Sequence, residues 1–375
     1  MITVEKIDTQ SRAQVRRFIR FPFWMYAKHP QWVPPLLMDS EMQLNRQKHP
    51  FFEHSEGDFF IAVRDGQDVG RIAAFENRPY NRYHNTRQAQ FYFFDSLDDL
   101  EVASALFNRV FEWAHERGLN EVVGPKGLSP FDGYGIQVEG TEHRQMMTMM
   151  NYNYPYYSRL VESLGFGKVV DFVSCYLNAA TFHLPERIHR VAERVEKRGT
   201  LRVERFQNKR HLVAWAGRIG QAYNKTFVKN WEYYPLSERE VKFVVDNLLM
   251  IADYRLIKVI THQDELVGFL FGFADVSAAL QRAHGHLLPF GLPDLLLDMR
   301  RTKWISLNGV GILPEFQGMG GNALMYSEIE KTVQGFHFRE AELTQVAESA
   351  RQMRHDLENI GGKPYKNHRV YGRKI

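Results

Sequence analysis

The sequence predicts a layered α/β fold with a mixed sheet, built twice in one chain. Three observations carry this: an internal repeat, alternating β-prone and helix-period segments in each copy, and a glycine-rich turn in the second copy.

The repeat shows in three places. Ile2-Thr3-Val4-Glu5-Lys6-Ile7 matches Leu201-Arg202-Val203-Glu204-Arg205-Phe206 at a shift of 199. Phe60-Ile61-Ala62-Val63 with Val69-Gly70 matches Ile257-Lys258-Val259-Ile260 with Val267-Gly268 at 197 to 198. Glu162-Ser163-Leu164-Gly165 and Lys168 match Glu358-Asn359-Ile360-Gly361 and, one deletion later, Lys363, at about 196. Matches in one order and nearly one register imply a duplicated domain. Residues 1–180 are expected to form one copy and 181–375 the other, and a chain of 375 residues suits two domains.

Within each copy the elements follow one order. A strand opens it, and helical material follows around Arg12–Tyr26 and His211–Phe227. A hairpin comes next, turning at Asp65-Gly66 in the first copy and at His262-Gln263-Asp264 in the second. A further strand leads to a helix over Leu100–Arg117 or Asn322–Gln334, and strand, helix and strand close each copy. The insert Val276–Lys303, apolar through Leu295-Leu296-Leu297, is expected to pack between domains, with the wall of an acceptor or acyl pocket as the alternative.

Composition bounds the partners. A content of 44% hydrophobic and 25% charged residues is that of a globular chain. The formal net charge of +4 is small for this length and gives no case for nucleic acid. Cys175 is the single cysteine, so internal disulfides and thiolate zinc sites are excluded. His284 and His286 have alternating spacing but no third partner in sequence, and no metal is expected. No signal-like core and no run of about 18 apolar residues occurs, so the expectation is a cytoplasmic protein with no membrane partner. The oligomeric state is not readable.

The glycine-rich segment is Ile312-Leu313-Pro314-Glu315-Phe316-Gln317-Gly318-Met319-Gly320-Gly321-Asn322. Trp304, Ile305, Leu307 and Val310 form a β-prone approach, and Met325, Ile329 and Val333 mark one face of the helix that follows. A helix N-terminus presents unpaired amides and partial positive charge, and glycines let an anion approach the backbone. The alternative reading is a tight turn alone. At the corresponding place in the first copy, Asp95-Ser96-Leu97-Asp98-Asp99-Leu100 carries three acids and no glycine, which suits capping and opposes a phosphate.

Gln317, Gly320 and the strand-to-helix context resemble the acyl-CoA loop of the GNAT N-acetyltransferases, with Asn322 where that family prefers Gly or Ala. The element order is similar to the GNAT fold in both halves, so the resemblance implies two tandem GNAT folds. His29-Pro30-Gln31-Trp32-Val33-Pro34-Pro35-Leu36, Gly70-Arg71-Ile72-Ala73-Ala74 and Tyr154-Pro155-Tyr156-Tyr157 resemble bacterial tandem GNAT-like proteins. The family would then use acetyl-CoA or another acyl-CoA as co-substrate and a small-molecule or peptide amine as acceptor, held in a cleft between the domains. Cofactor contacts would fall on Val310, Ile312, Leu313, Gln317, Gly318, Met319, Gly320, Gly321 and Asn322.

Catalysis needs a base for the amine and a proton for the leaving thiolate. Glu348, at the end of the strand Ala341–Val346, is a candidate base, with a helix-capping acid as the alternative. Tyr365 and Tyr371 are candidate proton donors, with packed aromatics as the alternative, and Asn308 is a candidate acceptor or pantetheine contact, or a bulge residue beside Gly309. The resemblance places its usual acid Tyr at Leu357 and its usual Asn near Glu348-Ser349-Ala350, and both are missing. A CoA-binding or structural protein without catalysis, and a long-chain acyl or aminoacyl transferase, remain as alternatives. In the first half, the run Met146 to Tyr157 is the expected contribution to acceptor binding. Trp231, Tyr233 and Tyr234 are second candidates.

Overall fold

A computed structural model describes residues 1–375 apart from Thr148, His183 and Lys229, and apart from the side chain of Gln352. The chain forms two compact units. The first comprises Met1–Val173, Ser277–Leu296 and Lys366–Ile375, and the second Ser174–Val276 and Leu297–Tyr365.

The elements begin with β1 (Ile2–Lys6), α1 (Arg12–Met25), α2 (Leu37–Leu44), β2 (Glu56–Arg64) and β3 (Gln67–Glu76). They continue with α3 (Arg78–His84), β4 (Gln88–Ser96), α4 (Leu100–His115), β5 (Glu121–Gly124), β6 (Ile136–Glu139), α5 (Tyr157–Ser163) and β7 (Gly167–Asn178). Next come α6 (Glu186–Arg198), β8 (Arg202–Glu204), α7 (Lys209–Thr226), α8 (Glu238–Ile251), β9 (Lys258–His262) and β10 (Glu265–Ala274). The insert holds α9 (Ser277–Ala283) and α10 (Gly291–Arg301). The chain ends with β11 (Trp304–Ile312), α11 (Gly321–Gly335), β12 (Glu340–Ala347), α12 (Arg351–Asn359) and β13 (Lys363–Lys374).

In the first unit β1, β2, β3 and β4 pair antiparallel in that order, and β4 then pairs β5 in parallel. The β2–β3 hairpin turns through Asp65 (φ 52°) and Gly66 (φ 77°), the two positive values that a type I′ turn requires. Gln263 and Asp264 do the same between β9 and β10, with φ of 49° and 67°. On α4, Val102, Leu106, Val110 and Trp113 recur at helical spacing and are buried in the main core of this unit. Burying each such side chain contributes about 1.5–3 kcal/mol.

The last strand does not stay with its own half. Tyr371–Lys374 of β13 pair antiparallel with Glu121–Gly124 of β5, and Asn367–Arg369 pair with β6. Arg369 clasps Asp171 through two hydrogen bonds of 2.8 and 3.0 Å, which with Lys168 holds that carboxyl down at about 2. The insert also groups with the first unit through Ser277–Leu296. Gln281 Nε2 donates to the carbonyls of Pro30 (2.7 Å) and Trp32 (2.9 Å), and the Leu37 amide donates to the Gly285 carbonyl at 3.0 Å.

The second unit repeats the plan. β8, β9, β10 and β11 are antiparallel neighbours, and β11 pairs β12 in parallel over Trp304–Leu307 and Glu340–Leu343. Helix α6, from the segment joining the copies, lies on α11: a Cβ added at Gly320 would meet Val195 Cγ2 at 2.7 Å.

His368 of β13 is fully buried, and its Nε2 donates to the Asn151 carbonyl at 3.0 Å. Burial pushes its pKa down from 6.5 to about 4, so the ring folds neutral. The unfolded chain therefore binds a proton that the native state refuses as pH falls from about 6.5 to about 4. The contribution of this group is complete above that window and lost through it, by about 3 kcal/mol at most. Urea unfolding of the wild type and His368→Gln at pH 7.5 and 4.5 checks this. The variant is expected to lose less stability on acidification, and an equal loss in both would contradict the assignment.

Candidate functional site

Each unit carries an extra residue on its fourth strand. In β4 the register steps from Arg71↔Asp95 to Ala73↔Tyr92, and Phe93 takes φ 50° at the bulge. In β11 it steps from Gly272↔Leu307 to Phe271↔Gly309, leaving Asn308 as the added residue. The parallel ladders stop at Gln90↔Val123 and Leu307↔Leu343, although β4 runs on to Ser96 and β11 to Ile312. Among the described residues, the fourth strand beyond each bulge is no longer paired with the parallel strand.

In the second unit the Leu313 amide donates to the Val267 carbonyl at 2.8 Å. Successive amides along a strand alternate sides. Those of Val310 and Ile312 therefore point away from β10, where the β12 ladder has ended. Leu313, expected among the cofactor contacts, spends its amide inside the sheet; its neighbour Ile312 faces the opening. Gln317 Nε2 donates to the Ile312 carbonyl at 3.1 Å and closes the loop from within. Gly318 (φ 80°) and Gly320 (φ 87°) are left-handed, Gln317, Gly318 and Met319 are exposed, and Gly321 begins α11. No side chain caps that helix, so its first amides are available.

The first unit differs at both points. Its Leu97 amide donates to the Val69 carbonyl at 3.1 Å, as Leu313 does to Val267. The amide that corresponds to Ile312 is that of Ser96, and it donates to the Tyr157 hydroxyl at 3.1 Å. Asp99 caps α4 by accepting from the Glu101 and Val102 amides at 2.8 and 3.4 Å, and it pairs with Arg64 at 2.7 Å. Arg64 and the amides hold the Asp99 carboxyl below its ordinary range. The opening is stoppered and the helix start is already neutralised.

Around the second bulge the structure assembles a polar cluster. Ser306 hydrogen-bonds Asn308 and, at 3.0 Å, Thr344. Glu342 of β12 is fully buried and accepts from the Tyr365 hydroxyl. Tyr176 packs on Tyr365 with ring centroids 6.0 Å apart and donates to Glu340. Sequence reasoning selected Asn308 and Tyr365 but missed Glu342. Its signal was the alternation Glu340-Ala341-Glu342-Leu343-Thr344, which sends a carboxylate to the same face as Thr344.

Glu348 lies in the turn between β12 and α12, whose N-cap is Ala350 without a side-chain bond. Tyr371 is in the core of the first unit, its hydroxyl donating to Glu162 at 2.8 Å. Tyr233 and Tyr234 are buried, Tyr233 donating to the Asn224 carbonyl at 2.6 Å. Leu357, at the expected tyrosine position, is buried core. Among the described residues no group of three or more His, Cys, Asp or Glu could hold a metal ion, and no helix is long and apolar enough to cross a membrane.

The first unit has a cavity of about 380 Å³, lined where β4 leaves β5 by Phe93, Phe94, Asp95 and Pro125. Met147, Met149, Met150, Asn151, Tyr152 and Asn153 form another wall, while Thr148 of that run is outside the described residues. Arg71 Nε donates to Asp95 at 2.7 Å, with side-chain exposures of only 9% and 8%. Tyr26 and Tyr157 donate to the same carboxylate at 2.9 and 3.2 Å. Burial first, and then the Asp95 charge, raises the pKa of both tyrosines.

Comparison with known proteins fits this plan. No family model matches the chain. It is 28% identical to a bacterial ceramide synthase of Caulobacter vibrioides, across 98% of this chain and 97% of that protein. It is 26% identical to Protein YghO of Escherichia coli, across 97% and 94%. A tandem GNAT protein from the clavulanic acid biosynthesis pathway superposes with a TM-score of 0.57 at 10% identity, covering 100% of this chain and 98% of that one. A GCN5-related N-acetyltransferase from Anabaena variabilis gives 0.51 at 10% identity, over 100% and 72%. The fold is that of tandem GNAT proteins.

Removing one partner of a buried, hydrogen-bonded pair strands the other charge, at a cost of about 3–5 kcal/mol. Arg71→Met is expected to lose stability of this order in urea unfolding, since Asp95 would keep two hydroxyls but no cation. A loss under about 1 kcal/mol would mean that the pair is not the fixed element described.

Proposed function

We propose that the protein is an acyl-CoA-dependent N-acyltransferase that takes its cofactor on the second unit. The observation that carries this is the contrast between the two openings. One has an uncapped, glycine-turned helix start and inward amides at Val310 and Ile312; the other is closed by Tyr157 and Asp99. In the first, the α11 amides and the loop from Gln317 to Asn322 would receive the pyrophosphate, and the Ile312 amide would polarise the thioester carbonyl.

The reaction joins the acceptor nitrogen to the thioester carbon as the carbon–sulfur bond breaks. The nitrogen gives up a proton to a base, and the departing thiolate gains one. The Tyr365–Glu342 pair supplies a carboxylate and hydroxyl beside the Asn308 bulge, and Glu348 is the second candidate base. The acceptor is a long-chain amine or amino alcohol. Its support is full-length similarity to a protein named a ceramide synthase, a ceramide being the N-acyl amide of a long-chain amino alcohol. Binding of CoA without catalysis is the second reading, favoured by the buried Leu357 in place of a tyrosine.

Gly318 is the position for a direct test: its φ is 80° and nothing lies within 4 Å of an added Cβ. Asp adopts left-handed backbone more readily than most residues, at a cost of about 1–2 kcal/mol, and would set a negative charge on the loop. In calorimetry, Gly318→Asp is expected to weaken acetyl-CoA and palmitoyl-CoA binding by more than about tenfold without lowering Tm by much. Undiminished affinity would place the cofactor elsewhere. For chemistry, Tyr365→Phe is expected to lower kcat for amide formation by about 10²-fold or more at nearly unchanged cofactor affinity. An unchanged kcat would remove Tyr365 from the mechanism, and absence of any turnover in the wild type across acyl-CoA and amine panels would favour the binding-only reading.

A further inference from the structure

The cavity of the first unit has an unbalanced charge. Its lining carboxylates are Asp39, Asp95 and Asp132, and the one lining cation is Arg71, which is committed to Asp95. Asp132 is held entirely by neutral groups: it accepts from the Ser129 amide at 2.8 Å and from Gln43 Nε2 at 3.1 Å. Among the described residues no ion pair involves it. Desolvation raises its pKa to about 6, so at neutral pH it is a carboxylate sunk in protein without a counter-ion.

The rest of the wall tells what kind of cation would complete it. Trp32, Tyr92 and Tyr152 offer aromatic faces that attract an ammonium group, and Met147, Met149 and Met150 offer polarizable, adaptable apolar surface. A volume of about 380 Å³ accommodates roughly a dozen non-hydrogen atoms at about 30 Å³ each. A hydrated metal ion would have no use for that wall, and an anion would meet three carboxylates.

We propose that this cavity binds the protonated headgroup of a primary amine that bears an apolar chain, with the ammonium against Asp132 and the chain along the methionine and aromatic wall. The proposal concerns binding in the first unit alone and stands independently of the acyltransferase reading.

Calorimetry of the full-length protein without acyl-CoA, using dodecylamine and its neutral N-acetyl derivative below their micellar concentrations, provides the test. The amine is expected to bind at least about tenfold more tightly than the amide, and Asp132→Asn should abolish that preference while leaving the weaker amide affinity in place. Equal binding of the two compounds, or an amine preference that survives Asp132→Asn, would overturn the proposal. Should the variant fail to fold, a dodecylamine with a terminal diazirine is photolysed on the wild type. Labels on peptides spanning 18–44 or 131–157 support the site, and labels elsewhere refute it. Because acyl-CoA is absent, failure here leaves the cofactor assignment standing, and loss of CoA binding would leave the amine site standing.

Discussion

One added residue on the fourth strand of each sheet is the constraint from which the sites follow. A parallel ladder satisfies every amide on both sides of a strand; a bulge breaks the register and ends it. Asn308 does this in the second unit and Phe93 in the first. Past the break, alternate amides face an opening instead of a neighbour, and buried amides do not stay unsatisfied without consequence. Each unit answers that demand differently. The first supplies a tyrosine hydroxyl from α5 to the Ser96 amide, and in the second we propose that a ligand meets the Ile312 amide.

The different closures of the two units explain the distribution of charge. In the first unit the acids that the sequence shows at Asp95 and Asp99 have separate duties. Asp99 caps α4, whereas Asp95 binds Arg71, Tyr26 and Tyr157 and fixes the wall of a cavity. Beside the Tyr157 closure of this unit lies a cavity lined by aromatics, methionines and carboxylates. In the second unit Gly318 is open, with nothing within 4 Å of an added Cβ, whereas Gly320 admits Val191 and Val195 of α6.

Much of the fold was legible because periodicity and turn chemistry are local. The helices at Arg12 and Leu100, the hairpin turn at Asp65-Gly66 and the glycine loop at Gln317 all lie where the pattern placed them. What was not legible depends on contacts far apart in sequence. Nothing local in Lys366–Ile375 says that it pairs with β5 and β6. Which of the two readings of Tyr371 applies, proton donor or packed aromatic, could therefore not be read until its hydroxyl was found on Glu162. Glu342 resembled one more polar residue on a strand until Tyr365 was found against it. The stopper at Ser96 is also non-local, since Tyr157 is sixty-one residues away along the chain. The wall formed by Met147 and by Met149 to Asn153 could be suspected from composition, but the isolation of Asp132 could not.

On the proposed function, the second opening takes an acyl-CoA and the first cannot. Hydrogen–deuterium exchange of the full-length protein, with and without saturating palmitoyl-CoA, measures this at the amides concerned. The account predicts slowed exchange across residues 310–324 and no change across residues 95–103. Protection at 95–103, or none at 310–324, would contradict it.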